Sequence, residues 1–146
     1  ACVSIYTKNK YLSSDLDFVS ASSVKEISPV LSELGFERKS SRHFEKKGCP
    51  FFIEFVPSPA AIGSEPIKGK NILKTRMWYI TLLTPTDSVK DRLAAYYHWN
   101  DPQALEQALM LAKAQKINLK EIKRWSEKEG HKEKYNVFVR VMKGRK

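Results

Sequence analysis

Cysteine is scarce in this chain. Cys2 and Cys49 are the only two, and they do not form a Cys-x-x-Cys pair. Two thiols cannot build a zinc site alone and allow at most one disulfide, so a cytosolic protein with two free thiols is the simpler expectation. No apolar run approaches 18 residues, which excludes a membrane-spanning helix. The chain opens at Ala1 in an apolar segment with no visible secretory signal, and a cytoplasmic location is expected. There is no Gly-x-Ser-x-Gly, no Walker lysine loop and no dinucleotide fingerprint. His43 and His131 stand alone, without a partner at metal-ligand spacing. No internal repeat or low-complexity segment is present.

What is there is enough for one folded domain: 146 residues, of which 42% are hydrophobic. The formal net charge is +10 and is unevenly placed. Residues 113–146 carry 12 Lys and Arg against 4 Asp and Glu, whereas residues 1–112 carry 14 against 12. Such a basic C-terminal region fits RNA or nucleotide phosphates as partners, and it equally fits a solvated, lysine-rich helical surface.

Periodicity divides the chain into early strands and late helices. Ala1–Thr7 reads as a helix end or a buried strand, and Leu16–Ser20 as the first clear strand. Ser23 with Glu26 makes a capping box for a helix carrying Val24, Ile27, Val30, Leu31 and Leu34. Gly35 stops it, and Pro29 predicts a kink or a later start. A hairpin turning at Lys47–Pro50 returns as Phe51–Val56, and residues 57–66 read as a loop rich in breakers. Met77–Leu83 is the last strand. Helices then fill the rest, opened by Thr84–Pro85, by Asp101–Pro102 and by a capping box of Asn118 with Glu121. The expected fold is α+β, a small mixed sheet in residues 1–84 with a helical part over 85–146 packed on it as one compact unit.

The most informative segment is Ser13-Ser14-Asp15-Leu16-Asp17-Phe18-Val19. Asp15 and Asp17 share one face of a strand, with α-carbons ~6.5 Å apart. Glu54 interrupts the second apolar run, Phe51-Phe52-Ile53-Glu54-Phe55-Val56. A carboxylate among these side chains is costly to bury without a partner, and a cation would be one. Three carboxylates on adjacent strands offer oxygen ligands to magnesium or manganese. The plainer alternative is that Asp15 caps a turn and Glu54 pairs with a lysine on an outward-facing strand. Ser14 can touch a phosphate or cap its turn. Lys90 and Arg92 can meet phosphates or pair with Asp87 and Asp91 on their own helix.

The Ser-Ser-Asp-Leu-Asp-Phe-Val segment, with Phe-Ile-Glu-Phe-Val as a neighbouring strand, resembles the DNA polymerase β-like nucleotidyltransferase superfamily. Pro85-Thr86-Asp87-Ser88-Val89-Lys90-Asp91-Arg92-Leu93-Ala94-Ala95, then Trp99-Asn100-Asp101 and Gln107-Ala108-Leu109, is similar to the helical segment of small prokaryotic members, including toxin nucleotidyltransferases of toxin–antitoxin systems. The resemblance runs from about Val3 to Trp125. It implies a nucleotidyltransferase core in which Asp15, Asp17 and Glu54 bind metal and catalyse transfer of a nucleoside monophosphate from a triphosphate to an RNA, protein or small-molecule acceptor. The superfamily carries a glycine pair on a helix ahead of its Asp-x-Asp strand; no such pair precedes Asp15, and Ala1–Tyr6 looks like the segment that comes after it. A fold kept for binding RNA or a partner protein, or a toxin–antitoxin component, is therefore the alternative expectation.

Overall fold

In the computed structural model, which describes residues 1–144, the chain is an α+β protein. It separates into two compact units, Ala1 with Leu12–Ala60, and Cys2–Tyr11 with Ala61–Lys146. The boundary thus falls near Ala60 rather than at Thr84. Apolar side chains from residues 61–84, Ile62, Ile67, Ile80 and Leu82, are committed to the core that the helices build, so these strands fold with the helices downstream.

The first unit holds β1 (Asp15–Ser20), α2 (Val24–Glu33), β2 (Glu37–Arg38), β3 (His43–Glu45) and β4 (Phe52–Pro57); α1 (Cys2–Tyr6) belongs to the other unit. The strands form one mixed sheet in the order β1-β4-β3-β2, with β1 parallel to β4 and the other pairs antiparallel. Ser23 and Glu26 make the capping box that starts α2. The helix starts at Val24 and runs on through Pro29, so the later start that Pro29 offered is not taken. Gly35, at φ +81°, ends it, with the Phe36 amide donating to the Leu31 carbonyl at 2.9 Å. Leu31, Phe44 and Ile53 are the buried centre of the unit, packed by Leu16, Val24, Ile27, Phe36 and Phe55.

The second unit is built around α1, α3 (Pro85–Trp99), α4 (Pro102–Ala114), α5 (Leu119–Lys128) and α6 (Lys132–Gly144). Thr84 caps α3 by accepting from the Asp87 amide at 3.0 Å, and Asp101 caps α4 by accepting from the Gln103 amide at 2.8 Å. Asn118 accepts from the Glu121 amide at 3.1 Å, but the Glu121 carboxylate turns to Lys90 and Arg124. The expected capping box is therefore only half made. Val89, Leu93, Leu111, Ile122, Trp125 and Phe138 form the sealed core.

The segment read as loop, residues 57–66, contains a small hairpin of β5 (Ala61–Ile62) and β6 (Glu65–Pro66). Its stabilisation comes from far along the chain, which local composition does not show. Trp125 Nε1 donates to the Ile62 carbonyl at 3.2 Å, and Ser64 donates through its amide and hydroxyl to Glu129. Gly63 sits at φ +60°, where a Cβ would lie 2.5 Å from the Glu129 carboxylate, so a larger residue would be strained and would push Glu129 off Ser64. A second hairpin, β7 (Asn71–Lys74) with β8 (Tyr79–Leu82), completes the unit.

Trp125 joins core and hairpin in one side chain. Replacing it by Ala removes a fully buried indole and leaves the Ile62 carbonyl without its donor. The variant is expected to lose about 3–5 kcal/mol of stability in urea unfolding monitored by far-UV circular dichroism.

Candidate functional site

The sheet of the first unit buries one apolar face against α2, and its other face mixes the acids with Phe52, Val19 and Val56. Leu16, Ile53 and Phe44 lie in the core beside Leu31 of α2. Phe18 stacks on Phe55 with ring centres 5.9 Å apart, and Phe44 meets Phe55 edge-on at 6.0 Å. Alternation then sends their neighbours to the opposite face. Asp15 stands opposite Phe52, Asp17 opposite Glu54, and Glu54 opposite His43 on its other side. Asp15 and Asp17 share one face, as their spacing predicts, and the register adds Glu54 to it, with Asp17 and Glu54 directly across a strand pair.

Their surroundings are only partly enclosed. Ser13 contacts Asp15, donating its hydroxyl to the carboxylate and also to the Asp15 carbonyl at 3.3 Å. Ser14 is exposed, and its carbonyl accepts from the Phe52 amide at 2.9 Å. Glu54 is about one-third exposed, with Arg42 Nη2 at a long 3.9 Å from its Oε1. His43 is not isolated: it lies in register with Glu54, packs on Phe52 at 4.7 Å and bonds Glu45 at 2.8 Å. The β3–β4 pairing that places it cannot be read from the spacing of histidines. Among the described residues, no group of three or more His, Cys, Asp or Glu is gathered closely enough to hold a metal ion. The three acids share a face without converging on a point.

Arg42 also lines a hollow of about 250 Å³ at the ends of β1 and β4, with Ser20, Ser22, Ser23 and Ser58. Val24, Phe55, Val56 and Pro57 complete its lining, so the hollow is mixed in character, and none of the three acids lines it.

Lys90 and Arg92 belong to the second unit, where their charges are met. Lys90 is buried, donates to Glu121 at 2.6 Å and lies 3.5 Å from Asp87. Arg92 pairs with Asp91 at 2.5 Å and reaches Gln107 at 3.3 Å. Lys90 lines a cavity of about 540 Å³ beside Glu65, Glu121, Arg124 and Trp125. Arg124 bridges that cavity, bonding Glu65 at 2.6 and 2.8 Å and Glu121 at 2.7 Å. Its guanidinium, aided by Lys128, holds Glu65 at a pKa of about 2; with help from Lys90 it holds Glu121 at about 2. His131, also read as isolated, has its ring 5.1 Å from that of His98 and 4.9 Å from Tyr97.

Comparison of the chain with protein-family models, with curated proteins and with solved structures gives no match.

The ion network makes a pH prediction. A carboxylate with a depressed folded-state pKa stabilises fully above its ordinary value, 4.5 for Glu65 and Glu121, and loses that contribution as pH falls toward about 2. Arg124→Gln should flatten the decline of melting temperature between pH 4.5 and 2 relative to the parent. Because Arg124 is half exposed, added salt should shrink the difference.

Proposed function

We propose that this protein is a nucleotidyltransferase of the DNA polymerase β-like type, working on the acidic face of the four-stranded sheet. The observation that carries the reading is the β1–β4 register, which sets Asp17 opposite Glu54 with Asp15 on the same side. Arg42, 3.9 Å from Glu54, supports it by setting one cation beside the acids, where it could meet a phosphate. The donor set is all oxygen and anionic, which suits magnesium or manganese; bringing the head groups together is a matter of side-chain rotation, because the backbones already stand one strand apart. Asp15 and Asp17 would hold the ion, shared with Glu54. When bound, the ion would neutralise triphosphate charge.

The chain's own contribution is positioning and proton handling. Glu54 takes the proton of the acceptor hydroxyl. The acceptor oxygen forms its bond to the α-phosphorus, the bond from that phosphorus to the bridging oxygen breaks, and pyrophosphate departs with the electron pair. Ser14, exposed at the entry to β1, would touch a phosphate. Lys90 and Arg92 have no part in this scheme, since carboxylates of their own unit already neutralise them. A second reading, a non-catalytic nucleic-acid-binding protein, is favoured by charge: the second unit contains 20 Lys and Arg against 9 Asp and Glu, the first 6 against 7.

Calorimetry with each nucleoside triphosphate decides between them. With magnesium or manganese present, binding should appear, vanish in EDTA and weaken about tenfold or more in Asp17→Ala. Glu54→Gln should keep much of the binding while suppressing transfer of a labelled monophosphate. Triphosphate binding indifferent to metal and to Asp17 would remove the enzymatic reading.

A further inference from the structure

The β7–β8 hairpin of the second unit has an outer side that nothing in that unit covers. Its register pairs Asn71 with Leu82, Ile72 with Thr81, Leu73 with Ile80 and Lys74 with Tyr79. Leu82 and Ile80 enter the core, and Asn71 donates to the Tyr6 hydroxyl at 3.1 Å. Alternation therefore turns Ile72, Lys74, Tyr79 and Thr81 outward. The tip is fixed by Thr75, whose amide donates to the Trp78 carbonyl at 2.8 Å and whose hydroxyl accepts from the Trp78 amide at 3.1 Å. This closure leaves Met77, Trp78 and Tyr79 91%, 53% and 71% exposed, with Tyr79 on the outer side beside Lys74 and Trp78 on the other side of the tip, so the two rings flank the hairpin end. Two large aromatic rings left in water on a short hairpin are unusual for a surface with no partner.

Charge identifies the partner. Lys74 and Arg76 sit beside these side chains, Lys70 directly precedes β7, Lys68 before it lines the cavity that also holds Glu65, and no Asp or Glu occurs between Glu65 and Asp87. None of the four enters an ion pair among the described residues, in contrast to Lys90, Arg124 and Lys128 of the same unit. Unneutralised cations interleaved with exposed rings match a chain that repeats phosphate and flat base. A duplex hides its base faces, so the rings favour unpaired strands. A bilayer rewards a continuous apolar depth, whereas here Lys74, Thr75, Arg76 and Thr81 break it up.

We propose that the β7–β8 hairpin is a docking platform for single-stranded nucleic acid, with Trp78 and Tyr79 stacking on bases and Lys68, Lys70, Lys74 and Arg76 meeting phosphates. The proposal stands apart from the acidic face of the first unit. It names a different surface from residues 113–146, whose charge fits nucleic acid and a solvated helical surface equally well.

Fluorescence anisotropy with labelled 20-nucleotide oligo-U and oligo-dT tests this on the full chain. Trp78→Ala with Tyr79→Ala should weaken binding by about tenfold or more, since each base–ring stack contributes ~1–3 kcal/mol. Lys74→Gln with Arg76→Gln should reduce the slope of log affinity against log salt by about 1.4, or ~0.7 for each phosphate no longer neutralised. Asp17→Ala should bind the oligonucleotide as the parent does, which separates this result from the fate of the enzymatic reading. Thermal melts matching the parent confirm that the surface variants fold. Equal affinity for a duplex of the same length, oligonucleotide binding untouched by the ring substitutions, or binding by phosphatidylserine vesicles in place of oligonucleotide would each overturn the proposal.

Discussion

Burial of Leu16, Ile53 and Phe44 beneath α2 is the constraint on which the candidate site depends. Those side chains leave water only if β1, β4 and β3 keep their observed register. A slip of one residue would turn the acids inward and the aromatic side chains outward, exchanging favourable apolar burial for unpaired buried charge. The acidic face is thus a by-product of a hydrophobic choice made on the other side of the sheet. Asp15, Asp17 and Glu54 are partly or wholly exposed, so keeping them requires little from the core and leaves their carboxylates within reach of solvent.

Much of this was legible in the sequence wherever a local pattern was enough. The Ser23–Glu26 box, the Asp101–Pro102 start and the alternation through Phe52–Val56 each depend on neighbours a few residues apart, and each has its expected structural counterpart. The failures share a cause. The 61–66 hairpin is secured by Trp125 and Glu129, more than 60 residues downstream. The half-made box at Asn118 gave up its glutamate to a lysine 31 residues upstream. His43 gained a neighbour through strand pairing. In each case an interaction distant along the chain outcompeted a local rule, and no spacing argument could have shown it.

The two kinds of basic residue in the second unit differ in a way that charge counting misses. Lys90, Arg124 and Lys128 are bound into carboxylates around a cavity, and Lys134 reaches the Tyr96 and Tyr97 carbonyls at the end of α3. These cations are structural, and the electric field they project is largely cancelled. Among the described residues the hairpin cations have no ion-pair partner, and neither have Lys113, Lys116, Lys120, Lys132, Arg140 and Lys143; what sets the hairpin apart is the exposed rings beside its charges.

The intertwined order of the units affects biosynthesis. α1 is made well before the elements it packs against, yet Val3 and Tyr6 are buried in the core those elements build. Tyr6 awaits the Leu83 carbonyl for its hydroxyl, and its own carbonyl awaits the Gln115 amide group. At ribosomal speeds of ~5–20 residues per second, α1 spends several seconds waiting while the intervening sheet completes itself. During that interval the nascent chain carries an unclaimed apolar helix, and a chaperone that grips short hydrophobic peptides would find its natural opportunity there.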